Sequence, residues 1–152
     1  MGEPAPVLRG TPRAGGVASG RLTGGSLTLV AASIGTSWEI DTRGAILLLE
    51  DRAERPYRID RMLQQLRGAG KLAPLAGVGL GDFSSCLDER YPEISAERLV
   101  AEEIAPLGIP LLTGLPFGHV RANHPWPLGC RAKLDADRGE LWMLEPGVSV
   151  AS

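Results

Sequence analysis

The stretch from Gly44 to Gly70, GAILLLEDRAERPYRIDRMLQQLRGAG, decides the fold class. Residues 45–49 form a continuous apolar run that is too short for an independent helix and is typical of a strand covered on both faces. Pro56 suits the first turn of a helix, and the residues after it place one apolar stripe at helical spacing, namely Ile59, Met62, Leu63 and Leu66. A buried strand followed closely by an amphipathic helix indicates an α/β protein.

The same alternation continues on both sides of this unit. Upstream, Ser26 can cap a helix whose apolar residues recur at helical spacing, and Gly35 can end it. Downstream, residues 77–83 (GVGLGDF) predict a second strand, Ser95 can cap a further helix, and residues 109–114 (IPLLTG) predict a third strand. Strands joined by helical crossovers lie parallel, so we expect a small parallel sheet covered by helices.

The two ends of the chain differ from this pattern. Residues 130–144 alternate in polarity around a turn at 137–139, which predicts an antiparallel hairpin whose facing residues are Ala132, Leu134, Leu141 and Met143. Residues 1–25 are rich in Gly and Pro without a sustained period, so we expect an N-terminal arm or the remnant of an interdomain linker. The predicted domain is then residues 26–152.

The composition describes an ordinary globular chain. With 152 residues, of which 43% are hydrophobic, one domain can bury roughly two thirds of its unfolded surface. The net charge of -2 shows no basic stripe, which disfavours nucleic acid and anionic membranes as partners. No stretch approaches the roughly 18 apolar residues of a membrane span. Cys86 and Cys130 lie in no metal-binding spacing, so we expect two reduced thiols and a cytoplasmic setting.

Two residues that follow predicted strands could carry chemistry. Glu50 ends the first strand, and His119 follows the third strand through Leu115–Gly118. Because the carboxyl ends of parallel strands meet at one edge of a sheet, these side chains could meet there. A carboxylate bonded to one imidazole nitrogen makes the other nitrogen a base, as in a catalytic triad. The residues alone leave another interpretation open, in which Glu50 pairs with a nearby arginine and His119 is a surface group.

No nucleophile, metal site or cofactor site is visible beside this pair. None of the serines lies in a GxSxG elbow, and they are explained better as turns, caps or helix positions; the candidates are Ser19, Ser26, Ser33, Ser37, Ser84 and Ser85. The chain has no HExxH, P-loop or dinucleotide-binding signature, so we predict no metal and no cofactor. His124 is expected to be structural or to face solvent, and Trp38 and Trp126 suit either core or rim positions.

Five short motifs together resemble the LD-carboxypeptidase family. They are GRLTGGSL (20–27), LLED (48–51), PYRIDRML (56–63), LGDF (80–83) and LPFGH (115–119). The resemblance extends from about Val7 to about Glu145, and the order and spacing of the motifs match the C-terminal domain of that family. Ser26 is a departure, because the family usually has Asn there, although Ser caps a helix equally well.

The resemblance implies a swivelling β/β/α domain and a function in a serine peptidase. In this family an N-terminal domain supplies the nucleophile and the oxyanion hole, and the C-terminal domain supplies the Glu and His that match Glu50 and His119. The nucleophile would then lie upstream of Met1, in a domain absent from this chain, and the chain alone should be inactive. The implied reaction removes the terminal D-alanine from muropeptide tetrapeptides during peptidoglycan recycling.

Alternatives to this function remain open at the level of the sequence. The chain could belong to a microcin C immunity-type peptidase, or it could be a non-catalytic module that binds a muropeptide or a partner. The expected partners are the nucleophile domain and a muropeptide, and a homodimer is left open. We expect the chain to fold by itself, with Glu50 and His119 within hydrogen-bonding reach and His119 partly exposed.

Overall fold

The computed structural model describes residues 7–148 as one mixed sheet of eight strands with three helices. The strands are β1 (Val7–Arg9), β2 (Thr11–Ala14), β3 (Val17–Ser26), β4 (Ile46–Glu50), β5 (Gly77–Leu80), β6 (Leu111–Thr113), β7 (Arg131–Asp135) and β8 (Glu140–Met143). The helices are α1 (Leu27–Ser33), α2 (Pro56–Gly68) and α3 (Ala96–Ile104), and a 3-10 turn at Ala105–Leu107 follows α3. The predicted α/β class is confirmed.

The sheet curves until its two end strands meet. The strand order is β1-β8-β7-β3-β4-β5-β6-β2, in which β3 to β6 run parallel and the remaining pairs run antiparallel. Only Gly10 separates β1 from β2, although these strands lie at opposite ends of the order. Gly10 donates its N–H to the carbonyl of Gly139 at 2.9 Å, and a Cβ at Gly10 would lie 2.7 Å from the carbonyl oxygen of Thr113. The sheet therefore closes on itself at Gly10, like a small barrel.

Strand β4 is buried on both faces, as its apolar run predicts. Ile46 and Leu48 pack inside the curved sheet against residues of the β7–β8 hairpin. Leu47 and Leu49 pack on the opposite face, in a core shared with the predicted stripe of α2, namely Ile59, Met62, Leu63 and Leu66. β4 is therefore packed between two hydrophobic cores, and Glu50 lies at its carboxyl end.

The local signals at the helix ends and in the hairpin are also confirmed. Ser26 caps α1 and accepts the N–H of Leu29, and Ser95 caps α3 and accepts the N–H of Arg98. Gly35 follows α1 with a φ of +83°, which a residue without Cβ adopts readily. In the β7–β8 hairpin, the facing pairs are Ala132 with Met143 and Leu134 with Leu141, as predicted.

The prediction of an N-terminal arm is wrong for the described residues 7–25, which form β1, β2 and most of β3. β3 pairs with both β4 and β7 and therefore belongs to the same sheet as the rest of the chain. β3 is hard to recognise from the sequence because two of its positions have no room for a side chain. A Cβ at Gly20 would lie 2.3 Å from the carbonyl oxygen of Gly44, and a Cβ at Gly24 would lie 2.0 Å from the carbonyl oxygen of Leu48. Close backbone approach replaces the apolar alternation by which strands are recognised. Residues 1–6 lie outside the described residues.

Candidate active site

Glu50 stands at the carboxyl edge of the parallel strands. Its backbone pairs with Ser26 at the end of β3, so its position is fixed by the sheet and not by a free loop. The side chain is 12% exposed. Because the buried strand holds its backbone and the surroundings cover most of its side chain, the carboxylate has little freedom to reorient.

His119 lies on a loop that crosses the end of the neighbouring strand. Leu115 and Phe117 anchor this loop in the inner core, and the carbonyl of Phe117 accepts the N–H of Asp82 at 3.0 Å, just beyond β5. The carboxamide oxygen of Asn123 accepts the N–H of Gly118 at 3.0 Å, and the carbonyl of Pro116 accepts the N–H of His124 at 2.8 Å. Backbone and side-chain bonds on both sides of His119 therefore fix its direction.

The two side chains meet as the topology predicts. The Nδ1 atom of His119 lies 2.8 Å from Oε2 of Glu50, within hydrogen-bonding distance. The side chain of His119 is 47% exposed, whereas Glu50 is largely covered. The prediction that both residues share the carboxyl edge, with His119 partly exposed, is confirmed. A carboxylate at Nδ1 favours the tautomer with its proton on that nitrogen, which leaves Nε2 as the basic atom.

Gly118 allows this close approach. It adopts a φ of +101°, and a Cβ at this position would lie 2.9 Å from both Cβ and Oε2 of Glu50. Carbon atoms in ordinary contact lie about 3.5–4.0 Å apart, so any side chain here would collide with the carboxylate. The glycine before His119 in the LPFGH motif therefore leaves the space that the Glu50 carboxylate occupies.

Asp51 is a buried carboxylate beside Glu50 that the sequence did not single out. It is 6% exposed and accepts three hydrogen bonds of 2.8 Å, from the backbone N–H of Thr28, the Thr28 hydroxyl and the N–H of Arg52. These bonds tie the loop after β4 to the first turn of α1. The signal that could have revealed it is the pair of acids, Glu50 and Asp51, directly after a buried strand.

The other candidates from the sequence do not join the pair. The hydrogen-bonding side chain of Ser85 accepts the N–H of Ala53, and that of Ser26 caps α1. Trp126 packs edge-on against Phe117 with ring centroids 6.1 Å apart, and Trp38 is 86% exposed. The structure brings Glu50 and His119 together, and within residues 7–148 no serine hydroxyl bonds to this pair.

Between Val7 and Val148, no three His, Cys, Asp or Glu side chains come together closely enough to bind a metal ion. Over the same residues, no helix has both the length and the apolar character needed to cross a bilayer.

A curved mixed sheet with a Glu–His pair at its carboxyl edge is the arrangement that the resemblance to the LD-carboxypeptidases implies. The family model described as the LD-carboxypeptidase C-terminal domain matches residues 19–134. The chain therefore belongs to the LD-carboxypeptidase family and corresponds to its C-terminal domain.

Individual relatives agree with this membership. The chain is 40% identical over 135 residues to the probable murein peptide carboxypeptidase of Bacillus subtilis, covering 88% of this chain and 42% of the relative. It is 38% identical over 120 residues to the murein tetrapeptide carboxypeptidase of Pseudomonas aeruginosa, covering 78% of this chain and 39% of the relative. The chain thus spans less than half the length of these curated relatives.

Solved structures share the fold. The muramoyltetrapeptide carboxypeptidase from Oxalobacter formigenes superposes with a TM-score of 0.78 at 35% identity, covering 93% of this chain and 50% of that one. The microcin C7 self-immunity protein MccF superposes with a TM-score of 0.82 at 23% identity, covering 91% of this chain and 42% of that one. At that identity, the second likeness concerns the fold alone.

Proposed function

We propose that this chain supplies the base and its orienting carboxylate to a serine carboxypeptidase that removes the terminal D-alanine from muropeptide tetrapeptides. The observation that carries the proposal is the 2.8 Å contact between Nδ1 of His119 and Oε2 of Glu50, with the imidazole about half exposed at the carboxyl edge. An exposed base that is already oriented is suited to meet a nucleophile delivered by another domain.

The proposal gives each side chain a role. Nε2 of His119 takes the proton of the serine hydroxyl as its oxygen attacks the carbonyl carbon of the diamino acid. Glu50 then stabilises the imidazolium through the charge-assisted bond at Nδ1. The imidazolium passes this proton to the amine of the leaving D-alanine, and a water molecule activated by the same nitrogen releases the tripeptide from the serine. The nucleophile and the oxyanion hole belong to an N-terminal domain, which we propose as the partner of this chain.

The relatives support the substrate class. The Bacillus and Pseudomonas proteins are named for murein peptides, and the Oxalobacter structure is named for muramoyltetrapeptide. The microcin C immunity-type substrate has weaker support, because the MccF structures are 23% identical to this chain. We propose a cytoplasmic reaction in peptidoglycan recycling, which agrees with two free cysteines in the described structure.

A chimera tests this function. The chain is fused behind the N-terminal part of the Bacillus relative, and release of D-alanine from a muropeptide tetrapeptide is measured. The chimera should turn over, and His119→Ala should lower kcat by about 10²–10⁴-fold, the usual contribution of a general base. The control is His124→Ala in the same loop. His124 is exposed and holds the loop through its backbone N–H, so this variant should keep the parent activity.

Three outcomes would contradict the proposal. Steady release of D-alanine by the chain alone would show that the nucleophile lies within it. Equal rates of D-alanine release by the parent chimera and by its His119→Ala variant would show that His119 is not the general base. A chimera that binds muropeptide without turnover, with both variants folded, would favour the non-catalytic binding module.

A further inference from the structure

A groove of about 330 Å³ lies between the start of α2 and the segment that leads into α3. Its size is at the low end of the range for ligand pockets, about 300–1,000 Å³, and suits one small ring. Apolar and aromatic side chains form most of its wall, among them Pro56, Tyr57, Tyr91, Ile94 and Leu99. The reaction described above uses none of these residues.

Both tyrosines of the chain lie at this groove. Tyr57 is 55% exposed and Tyr91 is 53% exposed, so neither ring is placed there to fill a core. The guanidinium of Arg58 lies 5.9 Å from the ring centroid of Tyr57, and that of Arg90 lies 5.9 Å from the ring centroid of Tyr91. About half of each tyrosine nevertheless stays exposed and open to another contact. Open aromatic faces beside an apolar concavity suit a ligand with a flat apolar face.

The rim of the groove offers hydrogen bonds in fixed directions. Asp88 accepts three bonds from Arg90, from its backbone N–H at 3.0 Å, its Nε at 3.1 Å and its Nη2 at 2.9 Å. These bonds lower the pKa of Asp88 to about 2, so the carboxylate stays charged at neutral pH. A guanidinium has five N–H donors, so three of Arg90 remain for a ligand.

Two further rim groups complete this set. The hydroxyl oxygen of Tyr57 accepts from Nε of Arg58 at 3.1 Å, which leaves its own proton free to donate. Asp60 adds an exposed carboxylate acceptor. Donors and acceptors therefore surround an apolar floor, and carboxylates and guanidinium groups are both present, which suits a neutral polyhydroxylated ring better than an ion.

One wall of the groove is the start of α2, which follows Glu50 closely in the chain. Pro56 begins α2 six residues after Glu50, so the two lie at most about 21 Å apart. The opposite wall belongs to the segment that follows β5. In a muramoyltetrapeptide, three amino acids separate the sugar from the terminal D-alanine, a span of roughly 11 Å when extended. This span lies within the bound of about 21 Å set by the chain.

We propose that this groove binds a single pyranose ring and, resting on the proposed function, that the ring is the amino sugar of the muramoyl group of the substrate. One face of a pyranose ring presents C–H groups that stack on Tyr57 and Tyr91. Its hydroxyl and acetamido groups meet the donors of Arg90 and the acceptors of Asp60. The peptide then extends from the groove toward His119.

Titration of the chain with N-acetylglucosamine and with N-acetylmuramoyl-L-alanyl-D-isoglutamine, followed by NMR of the two tyrosine rings, tests the proposal. Both sugars should produce saturable shifts with a Kd in the millimolar range. Tyr57→Ala and Tyr91→Ala should each weaken binding about two- to tenfold, the range expected for a stacked aromatic pair. Trp38→Ala is the matched control, because this aromatic side chain is 86% exposed and lies outside the groove.

Three outcomes would overturn the sugar site. The first is that neither sugar shifts the tyrosine resonances. The second is that the dipeptide L-alanyl-D-isoglutamine, which has no sugar, shifts them equally well. The third is that Trp38→Ala weakens binding as much as the groove variants do. The test is separate from that of catalysis, because His119→Ala should leave sugar binding unchanged. Loss of turnover with intact sugar binding would count against the proposed function alone.

Discussion

Replacing Gly118 by Ala should separate Glu50 from His119. The new Cβ would lie 2.9 Å from Oε2 of Glu50, at least about 0.5 Å inside ordinary contact, so the carboxylate must withdraw. The Nδ1 to Oε2 distance of 2.8 Å would then exceed about 3.2 Å, the upper limit of a good N–H···O bond. The substitution therefore acts on the proposed orienting contact without removing either of its partners.

The same change costs stability. A φ of +101° strains any residue with a Cβ by about 1–3 kcal/mol, and overpacking adds about 1–3 kcal/mol. For a chain of 152 residues, each kcal/mol lowers Tm by about 2–4 °C, so the melting temperature should fall by roughly 4–24 °C. Gly35→Ala is the control. It has a φ of +83° with no atom within 4 Å of the new Cβ, so it adds strain without the collision.

The assay is ¹⁵N NMR of the His119 side chain, which distinguishes the two neutral tautomers. In the parent chain and in Gly35→Ala, Nδ1 should carry the proton that bonds to Glu50. In Gly118→Ala, the tautomer with its proton on Nε2 should become populated. If Gly118→Ala does not fold, Asn123→Ala removes the bond to the N–H of Gly118 at 3.0 Å and should give a smaller change in the same direction. A parent-like tautomer in a folded Gly118→Ala would refute this reasoning.

Two further predictions concern stability and reactivity. Asp51→Asn should lower the free energy of unfolding by about 1–3 kcal/mol, because the amide leaves at least one of the donors of Thr28 and Arg52 unpaired; an unchanged urea midpoint would contradict it. Burial raises the pKa of the Cys86 thiol, so the native state holds this proton to a higher pH than the unfolded chain, and the Cys86 contribution to stability should decline as pH rises above about 9. Cys86 should therefore react with iodoacetamide more slowly than the partly exposed Cys130, and mass spectrometry showing equal rates would count against its burial.

The elements with periodic apolar residues were predictable from the sequence, and those built on glycine were not. The β4–α2 unit and the register of the β7–β8 hairpin follow from side-chain patterns, because in each the buried apolar residues recur at a regular spacing. β3 has no such stripe. Its partners approach through Gly20 and Gly24, and the atoms they approach belong to β4 and the turn before it, more than twenty residues away. No window of local sequence contains both halves of that contact.

The candidate site divides in the same way. The positions of Glu50 and His119 followed from topology, because two parallel strands must end at one edge. The residues that hold them there did not. Asp51 bonds to Thr28, which lies 23 residues away, and Gly118 is needed because of the Glu50 carboxylate, 68 positions earlier in the chain. A polar loop residue has many equivalent uses until its partner is known, so the supporting groups emerge only with the coordinates.

The exposure of His119 fits the proposed division of the triad between this chain and a nucleophile domain. The imidazole side chain is 47% exposed, while its carboxylate partner is covered. The loop is nevertheless fixed by the inner core through Leu115 and Phe117 and by the bond from Gly118 to Asn123. The orientation of the base is therefore set within this chain, before any nucleophile arrives. Under the proposed function, a partner domain would have only to bring a serine hydroxyl within about 3 Å of Nε2, and it would not need to reorganise the pair.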